Sequence, residues 1–212
     1  MKVLELFSGS GNVSKAFREA GHETYTIDAN PRLKADVIAD VLELKIEDIP
    51  FKPDVVWASP PCPCYSVSAF STHWDSQGRP KTVKAIRSIG NVLATLDIIK
   101  QLRPKYYFIE NPIGLLRKMS FMQDHNRVSV DYCQYGDKAR KPTDIFTNVE
   151  GWKLKRCHNG ATCHERSPRG SSGGTQGKKN AEDRAVIPTE LCKEIVRICE
   201  ASYKTSKQNK IF

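Results

Sequence analysis

The chain has 212 residues, enough for one domain with a full hydrophobic core, and its 39% hydrophobic and 27% charged residues are typical of a soluble globular protein. No apolar run approaches the length of a membrane span, Met1-Lys2 leads directly into an apolar segment rather than a signal peptide, and seven irregularly spaced cysteines favour a reducing compartment, so we expect a cytoplasmic protein. A net charge of +9 predicts attraction to polyanions, although a solvated basic face would give the same charge.

Short apolar runs alternate with amphipathic segments along the first two thirds of the chain. Asn12 to Ala20 and Thr82 to Leu102 repeat apolar residues every three or four positions, as helices that pack on one face do. The strand-like runs are Val3 to Phe7, Glu23 to Ile27, Val37-Ile38, Asp54 to Ala58, Tyr106 to Ile109, Val128 to Tyr132 and Asp144 to Phe146. The alternation predicts an α/β fold in which a parallel sheet carries helices on both faces.

Composition changes after Asn148 and divides the chain into four predicted parts. Residues 1–150 form the main domain. Residues 151–184 are rich in Gly, Ser, Lys and Arg, so they form a small basic insert that cannot build a core of its own. Residues 185–203 show helical periodicity and are predicted to pack back on the main domain, and residues 204–212 are predicted to be a flexible tail.

A cysteine follows two prolines directly after the apolar run Asp54 to Ala58, in the tetrad Ser59-Pro60-Pro61-Cys62. The prolines fix the backbone and remove two donors, so Cys62 is held on a stiff turn at the end of a strand, where catalytic groups lie in open α/β sheets. A positioned thiolate is a nucleophile. The alternative is a proline-rich turn with a small buried thiol, which is the role that we expect for Cys64.

A glycine-rich turn lies between the first predicted strand and the first predicted helix, in Leu4-Glu5-Leu6-Phe7-Ser8-Gly9-Ser10-Gly11. Glycines there let a ligand approach the backbone closely, and Asp28 ends the next strand, where a carboxylate can accept hydrogen bonds from ribose hydroxyls. Turn and acid together indicate a nucleoside cofactor. The spacing fits neither the pyrophosphate-binding motif of dinucleotide enzymes nor the phosphate loop of nucleotide triphosphatases.

In four places the chain resembles the DNA cytosine 5-methyltransferases. The matching segments are Leu6-Phe7-Ser8-Gly9-Ser10-Gly11, Pro60-Pro61-Cys62 with Ser66, Glu110-Asn111, and Gln134-Tyr135-Gly136 with the basic residues behind it. The resemblance implies a Rossmann-like fold with S-adenosylmethionine as methyl donor. By the same resemblance, the donor is held by Phe7, Ser8, Gly9, Ser10, Gly11, Asp28, Asp40 and Pro60. Asp28 and Asp40 have a simpler alternative as turn formers.

The resemblance also implies a catalytic set of Cys62, Glu110 and Arg140. Carbon 5 of cytosine is too electron-poor to attack a methyl sulfonium, so the Cys62 thiolate must first add to carbon 6. Glu110 would hydrogen-bond ring nitrogen 3 and the exocyclic amine, and Arg140 or Lys141 would stabilise the pyrimidine or a phosphate. The partner implied is double-stranded DNA with the target cytosine flipped out. Residues assigned to substrate binding are Ser66, Asn111, Lys141, Arg169 and Gln176.

Several positions depart from the family pattern. Pro63 replaces the usual glutamine after the catalytic cysteine, and the basic run Lys138 to Thr143 is displaced from the usual arginine spacing. The long target-recognition domain of the family is also missing, because only residues 151–184 can serve that purpose. The chain therefore resembles the compact enzymes that some phages encode, and we expect a monomer in the cytoplasm of a bacterium or a phage-infected cell.

Cys157, His158, Cys163 and His164 form a cluster of candidate metal ligands, with Cys133 or Cys192 as outside candidates. The spacing fits no zinc finger, so a polar loop without metal is favoured over a zinc site, and no metal is assigned.

Three alternatives to DNA methylation stay open. The first is cytosine methylation of a structured RNA, although the other large class of RNA cytosine methyltransferases needs a cysteine where this chain has Glu110-Asn111-Pro112. The second is transfer of a charged methyl derivative rather than a plain methyl group. The third is a non-catalytic nucleic-acid-binding protein on a methyltransferase scaffold, which would need neither Cys62 nor Glu110.

Overall fold

The computed structural model describes residues 1–165 and 181–208, so Arg169 and Gln176 lie outside the described residues. It contains a seven-stranded sheet in the order β3-β2-β1-β4-β5-β7-β6. The strands are β1 (Lys2–Leu6), β2 (Glu23–Asp28), β3 (Val37–Ile38), β4 (Val55–Ala58), β5 (Tyr106–Pro112), β6 (Arg127–Asp131) and β7 (Pro142–Thr147). The helices are α1 (Asn12–Glu19), α2 (Phe70–His73), α3 (Val83–Leu102), α4 (Ala181–Ala185) and α5 (Thr189–Gln208).

The sheet is mixed. Strands β1 to β5 are parallel to their neighbours, whereas β7 pairs antiparallel with both β5 and β6. All four residues of β4 are buried, as expected for a central strand covered on both faces. The carboxyl ends of β1, β2, β4 and β5 meet at one edge of the sheet, which is the edge where α/β proteins bind ligands.

Helices cover both faces, which confirms the predicted Rossmann-like α/β class. One apolar cluster joins α1 and α5 to the sheet through residues such as Phe17, Trp57 and Ile195. The other joins α3 to the opposite face through Val56, Val92 and Ile98. Helix α3 begins after Thr82, whose hydroxyl accepts the Ala85 N–H, a common N-terminal cap.

Helix α5 begins at Thr189 and continues to Gln208, past the predicted boundary at residue 203. Leu191, Cys192, Ile195 and Cys199 are fully buried in the same cluster as α1. The segment before α5 is tied down as well, because Asn12 donates from Nδ2 to the Ile187 carbonyl at 2.9 Å. Among the described residues, no helix combines the length and apolarity needed to cross a membrane.

Candidate active site

The turn after β4 carries the Cys62 thiol in a rigid setting. Cys62 directly precedes a 3-10 turn over Pro63–Tyr65, and its carbonyl accepts the Tyr65 N–H at 2.9 Å. Trp74 donates from Nε1 to the Cys64 carbonyl at 2.6 Å and stacks on Tyr65 with ring centroids 5.7 Å apart. Cys64 is buried, whereas Cys62 is partly exposed. The turn therefore leaves Cys62 partly exposed and buries Cys64.

The end of β5 and the loop after it support this turn. Asn111 donates from Nδ2 to the Pro60 carbonyl at 3.0 Å, and the Leu115 N–H donates to the Tyr65 carbonyl at 2.8 Å. Gly114 lies so close that a Cβ there would overlap the Tyr65 carbonyl oxygen. The amide nitrogen of Asn111 thus positions the turn. The buried Oδ1 of Asn111 has no hydrogen-bond partner within the described residues.

Glu110 is the centre of a buried polar cluster with Tyr132 and Lys141. Tyr132 donates its hydroxyl to Glu110 Oε1 at 2.8 Å, and Lys141 donates from Nζ to the same oxygen at 3.3 Å. The Lys141 ammonium also lies 4.6 Å from the centre of the Tyr132 ring. All three side chains are at least 93% buried. Because both recorded donors within the described residues use Oε1, Oε2 is left for a ligand.

The charges of this cluster face Cys62. Burial raises the pKa of the Cys62 thiol above its ordinary value, and the negative charge of Glu110 raises this pKa further. Lys141 opposes the shift and lowers the pKa of the thiol, and Arg184, in the short helix α4, contributes in the same direction. A thiol, a carboxylate and an ammonium group therefore share one electrostatic environment at the ends of β4 and β5.

Arg140, predicted to be catalytic, has other partners. It donates from Nε to Asp131 at 2.9 Å and from an Nη to the Cys157 carbonyl at 3.0 Å. The neighbouring Lys141 is the cation that reaches Glu110. Ser66 lies at the end of the cysteine turn, where its hydroxyl donates to the Pro63 carbonyl at 3.2 Å.

The predicted cofactor turn lies at the end of β1. Phe7, Gly9 and Gly11 all have positive φ angles, of 54°, 53° and 66°, so the backbone reverses sharply before α1. Asp28, at the end of β2, accepts the Gly9 N–H at 2.9 Å through one oxygen and the Asn30 N–H at 2.8 Å through the other. Asp28 therefore holds the glycine turn in shape, as well as ending the strand.

The remaining predicted cofactor residues are Ser8 and Ser10 of this turn, Pro60 and Asp40. Pro60 and Ser8 are buried, and Ser10 is exposed. Asp40 forms an ion pair with Arg87 of α3 and accepts the Leu42 N–H at 3.0 Å. An open cavity of about 320 Å³ lies along Ser8 to Gly11 on the side of α1, and its lining includes neither Asp28 nor Cys62.

Three residues of this region escaped the sequence analysis. Tyr132, which contacts Glu110, and Arg184, whose charge lowers the pKa of Cys62, have no motif of their own. Asp131 is fully buried and binds Arg140, Arg156 and the Cys157 N–H. The only available signal was their position, because Asp131 and Tyr132 end a predicted strand, where polar side chains often gather in α/β folds.

The strand order, with helices on both faces of the sheet, defines a Rossmann-like α/β fold. Two solved structures share it at low sequence identity. The Entamoeba histolytica methyltransferase EhMeth superimposes with a TM-score of 0.52 at 18% identity, covering 75% of this chain and 57% of that one. The S. pombe Dnmt2 methyltransferase gives 0.50 at 19% identity, covering 73% and 52%.

Residues 1–124 match the family model of the C-5 cytosine-specific DNA methylases. The chain is also 31% identical to a probable DNA (cytosine-5)-methyltransferase of Frog virus 3, over 94% of this chain and the whole length of that protein. This chain belongs to the C-5 cytosine-specific DNA methylase family.

Similarity to the bacterial relatives is partial. Type II methyltransferase M.AgeI of Thalassovita gelatinovora is 25% identical over 73% of this chain, and the match covers 41% of that protein. The chain thus spans less than half the length of that relative but the full length of the viral one.

Proposed function

We propose that this protein transfers a methyl group from S-adenosylmethionine to carbon 5 of cytosine in DNA, with Cys62 as a covalent nucleophile. The observation that carries the proposal is the convergence of Cys62 with the Glu110–Lys141–Tyr132 cluster at the ends of β4 and β5. A non-catalytic binding protein has no need of a presented thiol facing a buried carboxylate and ammonium.

The residues around the glycine turn fit the methyl donor. Gly9 and Gly11 have no side chain to block the backbone, Phe7 offers an apolar surface, and Asp28 and Asp40 offer carboxylates at the ends of β2 and β3. Asp40 would have to exchange its ion pair with Arg87 for a contact with the donor. When bound, S-adenosylmethionine supplies an electrophilic methyl group.

Cys62 starts the reaction by bonding its sulfur to carbon 6 of the cytosine. The displaced electron pair makes carbon 5 nucleophilic, while charge builds at ring nitrogen 3 and the exocyclic amine. In its protonated form Glu110 would donate from Oε2 to ring nitrogen 3 and stabilise this charge beside the exocyclic amine, since Oε1 is held by Tyr132 and Lys141. After carbon 5 takes the methyl group, its proton leaves to solvent, the carbon–sulfur bond breaks and the Cys62 thiolate is regenerated.

Lys141 serves this reaction as a buried counter-charge. It lowers the pKa of Cys62 and fixes one oxygen of Glu110, so that the carboxyl group keeps a single orientation. Carbons 5 and 6 cannot be reached inside a stacked duplex, so the cytosine must be flipped into this site. The net charge of +9 attracts the phosphate backbone that has to be held meanwhile.

The covalent step is tested with DNA that contains 5-fluorocytosine. Fluorine at carbon 5 cannot leave as a proton does, so the adduct with the enzyme persists through denaturing electrophoresis. We expect an adduct with the native protein and with Cys64→Ala, the buried neighbour, and none with Cys62→Ala. An adduct of undiminished yield in Cys62→Ala would show that another residue is the nucleophile.

The nature of the product is tested separately, by mass spectrometry of nucleosides. Nucleic acids from cells that express the native protein or Cys62→Ala are digested, and we expect 5-methyldeoxycytidine only with the native protein. Appearance of 5-methylcytidine in the RNA fraction alone would assign the enzyme to RNA, and a heavier substituent would identify a modified donor.

A further inference from the structure

A group of three cysteines and one histidine lies outside the proposed methyltransferase site. Their ligand atoms, on Cys133, Cys157, Cys163 and His164, all lie within 4.8 Å of one another. The group unites the end of β6 with a loop more than twenty residues later in the chain. We propose that these four side chains bind one zinc ion, which has a structural role.

Three of the recorded distances between the ligand atoms are close to those around a tetrahedral ion. Zinc–sulfur bonds of about 2.3 Å and zinc–nitrogen bonds of about 2.0 Å place two sulfurs about 3.8 Å apart and a sulfur and a nitrogen about 3.5 Å apart. Cys163 and Cys133 have their sulfurs 3.8 Å apart, and Nδ1 of His164 lies 3.6 Å from the sulfurs of both Cys157 and Cys163. The widest separation in the group, at most 4.8 Å, has to close by about 1 Å to reach the same geometry.

The distance between the sulfurs of Cys157 and Cys163 argues against a disulfide as the reason why these side chains lie together. The sulfurs of Cys157 and Cys163 are 3.3 Å apart, whereas a disulfide bond is about 2.0 Å long, and a third sulfur and an imidazole share the site. Gln134 donates from Nε2 to the Cys163 sulfur at 3.0 Å. Such N–H donors to sulfur commonly accompany metal-bound thiolates, because they offset the charge on the sulfur.

The backbone around the group is held in place by contacts that do not involve the four ligands' side chains. The Cys157 N–H donates to the buried Asp131 carboxylate at 2.8 Å. At the other end of the loop, the Glu165 N–H donates to the Lys138 carbonyl at 2.8 Å, and Ala139 forms a β-bridge with Glu165. Both ends of the 157–165 segment are thus fastened to the segment that carries Cys133, so the ligands are brought together before a metal binds.

Not every candidate ligand from the sequence belongs to the group. His158 is exposed and its Nδ1 contacts the carbonyl of Asn159 instead. Cys192 is fully buried in the apolar core with α5. Four protein ligands complete the coordination of zinc and leave no open position, which is typical of a structural site rather than a catalytic one.

The proposed ion would fasten the loop at residues 157–165 to the segment after β6. Cys133 also directly follows Tyr132, the hydroxyl donor to Glu110. The zinc would therefore brace the segment next to the reaction site without taking part in the chemistry.

Metal content tests the proposal independently of methyl transfer. The full chain is expressed in zinc-supplemented medium and purified with a non-chelating reductant, and zinc is measured by mass spectrometry. We expect about one equivalent in the native protein and in His158→Ala, and at least a fivefold loss in His164→Ala and Cys163→Ser. Less than a tenth of an equivalent in the native protein, or zinc retained in full by both ligand variants, overturns the proposal.

Cobalt substitution tests the ligand set without depending on the folding of variants. Replacing zinc by Co²⁺ in the native protein should give the intense visible bands of a tetrahedral centre and a thiolate-to-cobalt charge-transfer band. Absence of the charge-transfer band, or an intact-mass loss of two hydrogens that reports a Cys157–Cys163 disulfide in the protein as isolated, would overturn the assignment.

Discussion

Glu110 and Lys141 act in opposite directions on the Cys62 thiol. The carboxylate raises the pKa of the thiol and the ammonium lowers it, while burial raises it most. At neutral pH the free enzyme therefore holds Cys62 mainly as a thiol. Substrate must then bring about its deprotonation, and the neighbouring charges decide how readily that happens.

This balance can be measured through alkylation of Cys62. Glu110→Gln should lower the pKa of the thiol because it removes a negative charge, and Lys141→Met should raise it because it removes the opposing positive charge. The measurement is the rate of iodoacetamide labelling against pH, read from the Cys62 peptide by mass spectrometry. The exposed Lys138→Met is the control and should leave the profile unchanged.

Glu110→Gln should also lower methyl transfer. Glu110→Gln should reduce the rate by about 10² to 10⁴ even though its thiol ionises more readily, since it loses the acid that stabilises the charged ring. If transfer in Glu110→Gln instead rose with its thiolate fraction, Glu110 would be a modulator of Cys62 rather than a catalytic group.

The sequence predicts Cys62 and Glu110 but does not predict which side chains contact Glu110. Cys62 follows the buried strand β4 after three residues and Glu110 lies in the second half of β5, so chain position alone places them near one edge of the sheet. Arg140 and Lys141 are consecutive residues, and consecutive side chains in extended chain point to opposite sides, so motif spacing does not tell which cation faces Glu110. Tyr132 is brought to Glu110 by the pairing of β6 with β7 and of β7 with β5.

Among the elements, the loop after β5 and the turn after β4 behave as one unit. Leu115 donates its N–H to Tyr65, and Gly114 passes against the same carbonyl with no space for a side chain. The geometry of the turn at Cys62 therefore depends on Gly114, which has no side chain.

Gly114→Ala tests this dependence. The added methyl group would meet the backbone carbonyl of Tyr65, which cannot rotate away as a side chain can, so the loop and the turn must separate. We expect a loss of stability of about 1–3 kcal/mol in urea unfolding and at least a tenfold loss of methyl transfer.

A second glycine supplies the matched control. Gly90 lies inside α3, where an added Cβ meets only the end of the Leu42 side chain. Gly90→Ala should change stability by less than about 1 kcal/mol, because the gain in helix propensity offsets the contact. Native activity in Gly114→Ala would mean that the cysteine turn does not depend on this loop.

The sequence predicts the direction of the first five strands but not that of every strand. Strands β1 to β5 are parallel, as their alternation with helical segments predicts. The connection from β6 to β7 spans only residues 132–141, which is shorter than a parallel crossover needs, so β7 runs antiparallel. The position of β7 between β5 and β6 depends on pairing between segments that are far apart in the chain. Local patterns of apolar residues do not show such pairing.

For the whole molecule, Glu5 lies where the first strand, the first helix and the last helix meet. It is 1% exposed, accepts the Ser14 N–H of α1 at 2.8 Å and faces Cys192 of α5, whose pKa its charge raises. Burial raises the pKa of Glu5 to about 7, with Arg18 lowering it and Asp28 raising it by smaller amounts.

The free energy of unfolding of the whole domain should therefore decrease as the pH rises from mildly acidic to neutral. As pH rises above about 4.5, the unfolded chain ionises Glu5 before the folded chain does, so stability is lost until pH passes about 7. We expect urea unfolding to give a free energy about 2–3 kcal/mol lower at pH 8 than at pH 5 from this group.

Glu5→Gln should remove most of that difference, since glutamine does not ionise and its carbonyl oxygen can still accept the Ser14 N–H. The control Glu19→Gln, exposed at the end of α1, should keep the native pH dependence. An unaltered profile in Glu5→Gln would mean that Glu5 stays ionised in the folded protein at acidic pH.

Strand β5 constrains how a chain like this can change its length. Glu110 and Asn111 are adjacent, so one reaches the Tyr132 hydroxyl and the other the Pro60 carbonyl, on opposite sides of the strand. Deleting one residue between Tyr106 and Glu110 would place the amide where the acid belongs, and inserting one would turn the acid to the side of Pro60. Evolution can lengthen this protein at its loops, but in this strand only by steps of two.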